Sequence, residues 1–250
     1  MAYPNFKDKH LEEALFNPQD YYNWDIFLQR GHGKTIKKYI LLYYPRILKY
    51  FIKKYKPQKI KAYRLIIIYR YKDIGVICMT GIGAPNAVTV MEELIAFGGK
   101  EFINIGSCGG LDGFGAFLCD RAIRDEGTSL HYQKYEKYSY PDKKLTEKLG
   151  KFMSQHGMEF QRSTTWTIDA PYRETKAEIK QYKKEGVKTV EMEASALFVV
   201  ANIRKVKIAS AFVVSDVLGE KKWDPQFDAK HVNEKLNQLF DVSLKCLLNK

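Results

Sequence analysis

Apolar and polar positions along the chain fall into alternating strand-like and helix-like segments. The run KKYILLYY (37–44) predicts a buried strand, and PRILKYFIKKY (45–55) then sets Ile47, Leu48, Phe51 and Ile52 at helical spacing. The β-branched runs RLIIIYRY (64–71) and GVICM (75–79) predict two strands, joined through Tyr71-Lys72-Asp73 as a hairpin. Pro85 to Phe97 predicts a helix with proline near its start and Gly98-Gly99 as its stop. A strand over 101–107 then runs into a glycine-rich turn, GSCGGLDGFG, and a further strand follows over 116–123. After a polar, tyrosine-rich loop to Pro141 the pattern predicts a helix to His156, a strand at 163–168 and an amphipathic helix at 174–186. A mostly apolar helix (193–203), a strand (206–216) and a closing helix (228–248) complete the order.

Strands that are hydrophobic throughout and alternate with helices are covered on both faces, which predicts a largely parallel or mixed sheet in a single α/β domain. No repeat or low-complexity tract divides the chain, so residues 1–35 are read as an N-terminal arm and 36–250 as the domain. Sites in such sheets lie at the carboxyl ends of strands. That directs attention to Thr80–Gly83, Gly106–Gly109, the Asp169 turn and Ser215-Asp216.

Composition narrows the function classes. A hydrophobic content of 45% over 250 residues is enough for a sizeable core, and no apolar run approaches the ~20 residues of a membrane span. The amino-terminal MAYPNFKDKHLEEAL has no apolar signal core, so a cytoplasmic protein without membrane contact is expected. Net charge is +12, but the lysines are scattered over helix faces and loops. A general attraction for anionic substrates fits better than nucleic-acid binding. The four cysteines form no CxxC pair, which predicts buried free thiols and neither a metal site nor a disulfide.

The segment TGIGAPNA (80–87) joins a strand to a helix start through small residues, a geometry that suits an anion or ligand. It has no Lys-Ser/Thr after the glycines and no third glycine at dinucleotide spacing, so it is neither a P-loop nor a dinucleotide fingerprint.

Taken with NIGSCGG (104–110), RDEGTSLHY (124–132), TIDAPYRE (167–174), VEMEASALF (190–198) and VVSD (213–216), in that order, this turn resembles the nucleoside phosphorylases of the hexameric purine nucleoside phosphorylase and uridine phosphorylase type. The resemblance spans the chain from about residue 60 to the end. It implies a three-layer α/β/α sandwich around a mixed, partly closed sheet. It also implies a homo-oligomer, a dimer or a hexamer of dimers, with sites shared between subunits. The implied reaction splits the N-glycosidic bond of a nucleoside, with inorganic phosphate as co-substrate and no cofactor, giving free base and ribose 1-phosphate.

The resemblance assigns roles to particular residues. Glu193 accepts hydrogen bonds from the ribose hydroxyls, Met192 packs on the sugar and Glu191 adds a backbone or carboxylate contact; a helix-capping carboxylate at Glu193 is the alternative. Asp216 protonates the departing purine, or else binds loop backbone. Ser215, Tyr172 and Trp166 are candidates for the base, although either aromatic ring would serve equally as packing, and Trp223 lies on a loop that could close over the site. His10 corresponds to a histidine that reaches the 5′-hydroxyl of a neighbouring subunit, or is a surface residue.

For phosphate the candidates are Gly83, Ser107, Arg46 and, across a dimer, Arg64. Here the chain departs from the family. Tyr43-Tyr44-Pro45-Arg46 replaces Gly-Asp-Pro-x-Arg, and Asn104 stands where a second arginine is expected. An Asn104→Arg substitution is expected to tighten phosphate binding if the geometry admits it. The short segment after Asp169 lacks the glutamine of uridine-cleaving relatives and keeps only Arg173, which favours a purine. Phosphorolysis of uridine, hydrolysis by water on the same fold, and simple nucleoside binding are the alternatives to purine phosphorolysis.

Overall fold

A computed structural model describes residues 4–24, 35–61, 66–219 and 222–249. In chain order its elements are α1 (Pro18–Trp24), β1 (Lys38–Leu42), α2 (Pro45–Tyr55), β2 (Gln58–Lys61), β3 (Ile67–Tyr71), β4 (Ile74–Cys78) and α3 (Ala84–Ala96). Then come β5 (Glu101–Gly110), β6 (Ala116–Asp125), β7 (Tyr138–Ser139), α4 (Lys143–Gln155), β8 (Gln161–Ile168) and α5 (Lys176–Lys184). The last are β9 (Val187–Glu191), α6 (Ala194–Ile203), β10 (Lys207–Leu218), β11 (Trp223–Pro225) and α7 (Lys230–Leu248). The polar arm thus carries α1, which rests against α3.

One mixed sheet runs β11-β10-β6-β8-β9-β5-β1-β4-β3-β2, and an additional β10–β5 pairing closes β5, β10, β6, β8 and β9 into a five-stranded barrel-like core. Strand alternation explains why both faces need cover. On β1, Tyr39 and Leu41 enter one apolar cluster with α3 and α6, while Ile40 and Leu42 enter a second with α2, α4 and α7. The result is the three-layer α/β/α arrangement around a partly closed sheet.

The structure corrects the glycine-rich turn. GSCGG is not the end of a strand: β5 continues to Gly110 and pairs with β9 through Gly109↔Val190 and Gly110↔Thr189. The reason is space. A Cβ on Gly109 would sit 2.8 Å from Val190 Cγ1, and one on Gly110 would sit 2.5 Å from the Gly113 carbonyl oxygen, so the barrel seam closes only with glycine there. β10 likewise runs past Ser215-Asp216 to Leu218, with a register shift against β5 between Val214 and Asp216. That bulge re-aims the side chains of Ser215 and Asp216. The 71–73 hairpin forms as expected, with Lys72 at φ 55° in the turn.

Candidate active site

A cavity of about 600 Å³ opens beside the barrel. Its walls come from Tyr43 and Tyr44 after β1, residues 106–109 of β5, the bulge of β10, the β9–α6 junction, the segment after β8, and Trp223 with Phe227.

The β9–α6 junction carries two carboxylates with different tasks. Glu191 accepts the backbone N–H of Glu193 at 2.8 Å and of Ala194 at 2.7 Å, and the Thr167 hydroxyl donates to its other oxygen. Glu191 therefore occupies the positive end of α6, satisfying donors that the helix leaves unpaired. The capping role that the sequence left open at Glu193 belongs to Glu191. Glu193, 7% exposed, reaches instead across to the TGIG turn, where its Oε1 accepts the Gly83 N–H at 2.6 Å. Burial pushes both carboxyls above the ordinary carboxylate range, and the charge of Glu193 raises Glu191 further. Met192, between them, lines the cavity. Thr167 also accepts the Ser195 N–H, and the Ser195 hydroxyl donates to buried Glu126, which binds the Ser129 N–H in turn. The RDEGTS block thus braces the start of α6.

At the β10 bulge Asp216 is 9% exposed. Its Oδ1 accepts the Ser215 hydroxyl at 2.9 Å and its Oδ2 accepts Trp223 Nε1–H at 2.8 Å. β11 pairs back along β10, Leu218↔Trp223 and Asp216↔Pro225, which lays the indole over the carboxyl.

The anion side is built differently from the expectation. Gly83 has φ 99° and gives its N–H to Glu193, so that donor is committed within the protein. Arg46 is exposed and pairs with Asp228 at 2.8 Å, away from the cavity wall. Arg64 lies outside the described residues. Asn104 is fully buried, donates to Ser210 Oγ at 3.2 Å and does not line the cavity. An Asn104→Arg substitution would bury an unpaired guanidinium away from the cavity, so it would destabilise the fold without tightening phosphate binding. Ser107 does line the cavity. Tyr43 lies against Gly106, where an added Cβ would meet its ring at 3.3 Å. The Tyr43 hydroxyl is buried without a protein partner among the described residues, and burial together with Glu193 and Glu191 raises its pKa. Among the described residues the cavity wall contains four carboxylates, Glu174, Glu191, Glu193 and Asp216, and no Arg, Lys or His.

The base-side candidates separate. Ser215 and Tyr172 line the cavity, Tyr172 as a fully exposed ring at the mouth. Trp166 is 0% exposed, donates to Asp125 at 2.8 Å and packs on Tyr182, so it is a core residue. His10 sits in a short turn of the arm, and neither it nor Arg173 lines the cavity. Sequence reasoning missed Tyr43, Phe212, Phe227 and above all Glu174. Burial, then the charges of Asp216 and Glu178, push the Glu174 carboxyl up to about 7. Glu174 stands inside the TIDAPYRE block, but no spacing distinguishes it there.

A closed five-stranded core, with a glycine-rich seam and four carboxylates on the wall of one cavity, is the frame of an α/β enzyme. The chain belongs to the phosphorylase superfamily, whose family model matches residues 44–247. It is similar to a purine nucleoside phosphorylase of Plasmodium vivax, 28% identical over 185 residues that cover 70% of this chain and 74% of the relative. It is also similar to a uridine phosphorylase of Escherichia coli, 27% identical over 163 residues, 57% of this chain and 64% of the relative. Relatives so named are pentosyltransferases, and this chain is an enzyme of that family. In fold it resembles the crystal structure of an AMP nucleosidase from Bacteroides thetaiotaomicron, with a TM-score of 0.74 at 24% identity, covering 94% of this chain and all of that one. Among the described residues no helix is long and apolar enough to cross a membrane.

Proposed function

We propose that this protein cleaves the N-glycosidic bond of a purine ribonucleoside with phosphate, releasing free base and ribose 1-phosphate. The observation that carries this reading is the convergence of Glu193 and Asp216 on one cavity. Breaking the bond leaves a cationic, oxocarbenium-like sugar, and a wall of carboxylates stabilises positive charge at that point. Glu193 has one oxygen fixed by Gly83, which aims the other at a ribose hydroxyl; Met192 supports the sugar. Asp216 answers the base with a proton or hydrogen bond, and Ser215 holds its orientation.

Phosphate needs converging cationic donors, since charge-assisted hydrogen bonds are roughly twice as strong as neutral ones. Within one chain Ser107 is the expected donor that lines the cavity. The active species is therefore a homo-oligomer, a dimer or a hexamer of dimers, in which Arg64 of the partner subunit completes the anion site. A second reading, hydrolysis by water, is favoured by one observation: the Tyr43 ring fills space beside Gly106 where the resembling family has glycine. Incubation with inosine, adenosine and uridine, each with and without phosphate, separates the readings. Phosphate-dependent release of hypoxanthine or adenine is expected. Release from uridine alone would move the assignment to a pyrimidine.

A further inference from the structure

Asp216 has a difficulty as sole proton donor. Each of its oxygens already accepts a hydrogen bond, from the Ser215 hydroxyl and from the Trp223 indole, which leaves only the remaining lone pair on each to hold a proton and aim it at a base. The neighbouring carboxyl has no such commitment. The short turn Pro171–Arg173 ends at Glu174, whose half-buried side chain lines the same cavity and makes no hydrogen bond or ion pair with the described residues. We infer that Glu174 is a second acid of this site, one that carries the proton delivered to the departing base.

The inference rests on N-glycosidic cleavage as proposed above. As the C1′–N bond breaks, its electron pair passes to the base. A ring nitrogen takes the proton of the Glu174 carboxyl, directly or through Asp216, and phosphate forms the new bond to C1′. Glu174 is left as a carboxylate and regains its proton from solvent after the base departs. The charges bearing on Glu174 are those of Asp216 on β10 and Glu178 on α5, with Glu191 and Glu193 on the same cavity wall. Burial first, then the charges of Asp216 and Glu178, favour the protonated form of Glu174. A Glu174 carboxyl pushed up to about 7 is matched to proton transfer near neutral pH.

The test is Glu174→Gln, assayed with inosine and with 7-methylguanosine. The methylated base departs from a ring already positively charged and needs no proton. A positioned general acid contributes about 10²–10⁴-fold, so inosine turnover is expected to fall by about that factor, with 7-methylguanosine turnover nearly kept. In the unmodified enzyme kcat/KM for inosine should fall as pH rises above about 7. The variant should lose that alkaline limb, and Glu174→Asp, which retains an acid, should recover part of the rate. Inosine cleavage by Glu174→Gln at the unmodified rate would overturn the inference. An equal loss with both nucleosides would do so too, because that is the signature of a structural role. If the unmodified enzyme releases no base from either nucleoside, the proposed function itself fails and takes this inference with it.

Discussion

At the scale of single residues, the VEMEA block divides labour between side chains that the sequence leaves interchangeable. Both glutamates stand at a helix start, where any carboxylate is favoured. Only the backbone path shows that Glu191 satisfies the helix donors while Glu193 turns to Gly83. Asp216→Asn keeps the shape and the acceptor for Trp223 but removes the acid. Purine nucleoside turnover is expected to drop about 10²–10⁴-fold while sugar binding is largely kept, which steady-state kinetics would register as a fall in kcat at a nearly constant KM. Unchanged turnover would make Asp216 a structural partner of the β11 hairpin. The motif residues Met192, Glu193 and Asp216 were legible because a strand-to-helix junction or a strand end marks them. Glu174 was not, since its significance comes from being left without a partner in space. Trp166 misled for the opposite reason: an aromatic ring in a strand reads the same whether it faces a cavity or the core.

At the scale of elements, most helices and strands were legible because their periodicity is strong and their ends are marked by proline or glycine. The failures share a cause. The strand β2 is polar, β7 and β11 are two and three residues long, and β5 continues through glycines that locally signal a turn. Polar β2 and three-residue β11 are held by hairpin pairing with β3 and β10, β7 by pairing with β6, and the glycine end of β5 by distant β9, so pairing supplies what local hydrophobic periodicity does not signal. The barrel seam gives a direct check. Gly110→Ala places a methyl group 2.5 Å from the Gly113 carbonyl oxygen and 2.8 Å from Val214 Cγ1, so backbone must shift. We expect a loss of about 1–3 kcal/mol in urea unfolding, accompanied by reduced activity because the seam borders the Asp216 bulge. A glycine acting only as loop flexibility would tolerate alanine at no cost.

At the scale of the whole molecule, the described surface of a single chain leaves Phe6, Leu11, Leu15 and Phe16 of the arm in solvent, apolar side chains that association would cover. The cavity wall of one chain, meanwhile, holds four carboxylates and no cation among the described residues. Both features point the same way as the proposed homo-oligomer. Light scattering coupled to activity should find the active species larger than a monomer, and a fully active monomer would contradict shared sites. The family and fold were legible across the chain because six motif blocks occur in order, whereas the anion site was not, because the residues there differ from the pattern. Tyr43, Arg46 and Asn104 are each engaged by packing or pairing that the pattern does not anticipate.

The most direct measurement is the identity of the products formed from inosine in the presence and absence of phosphate. The account predicts hypoxanthine and ribose 1-phosphate in equal amounts, with turnover that depends on phosphate concentration. Free ribose formed at the same rate without phosphate would make water the nucleophile and Tyr43 the reason. Failure to release base from inosine, adenosine or guanosine under any phosphate concentration would contradict the central claim.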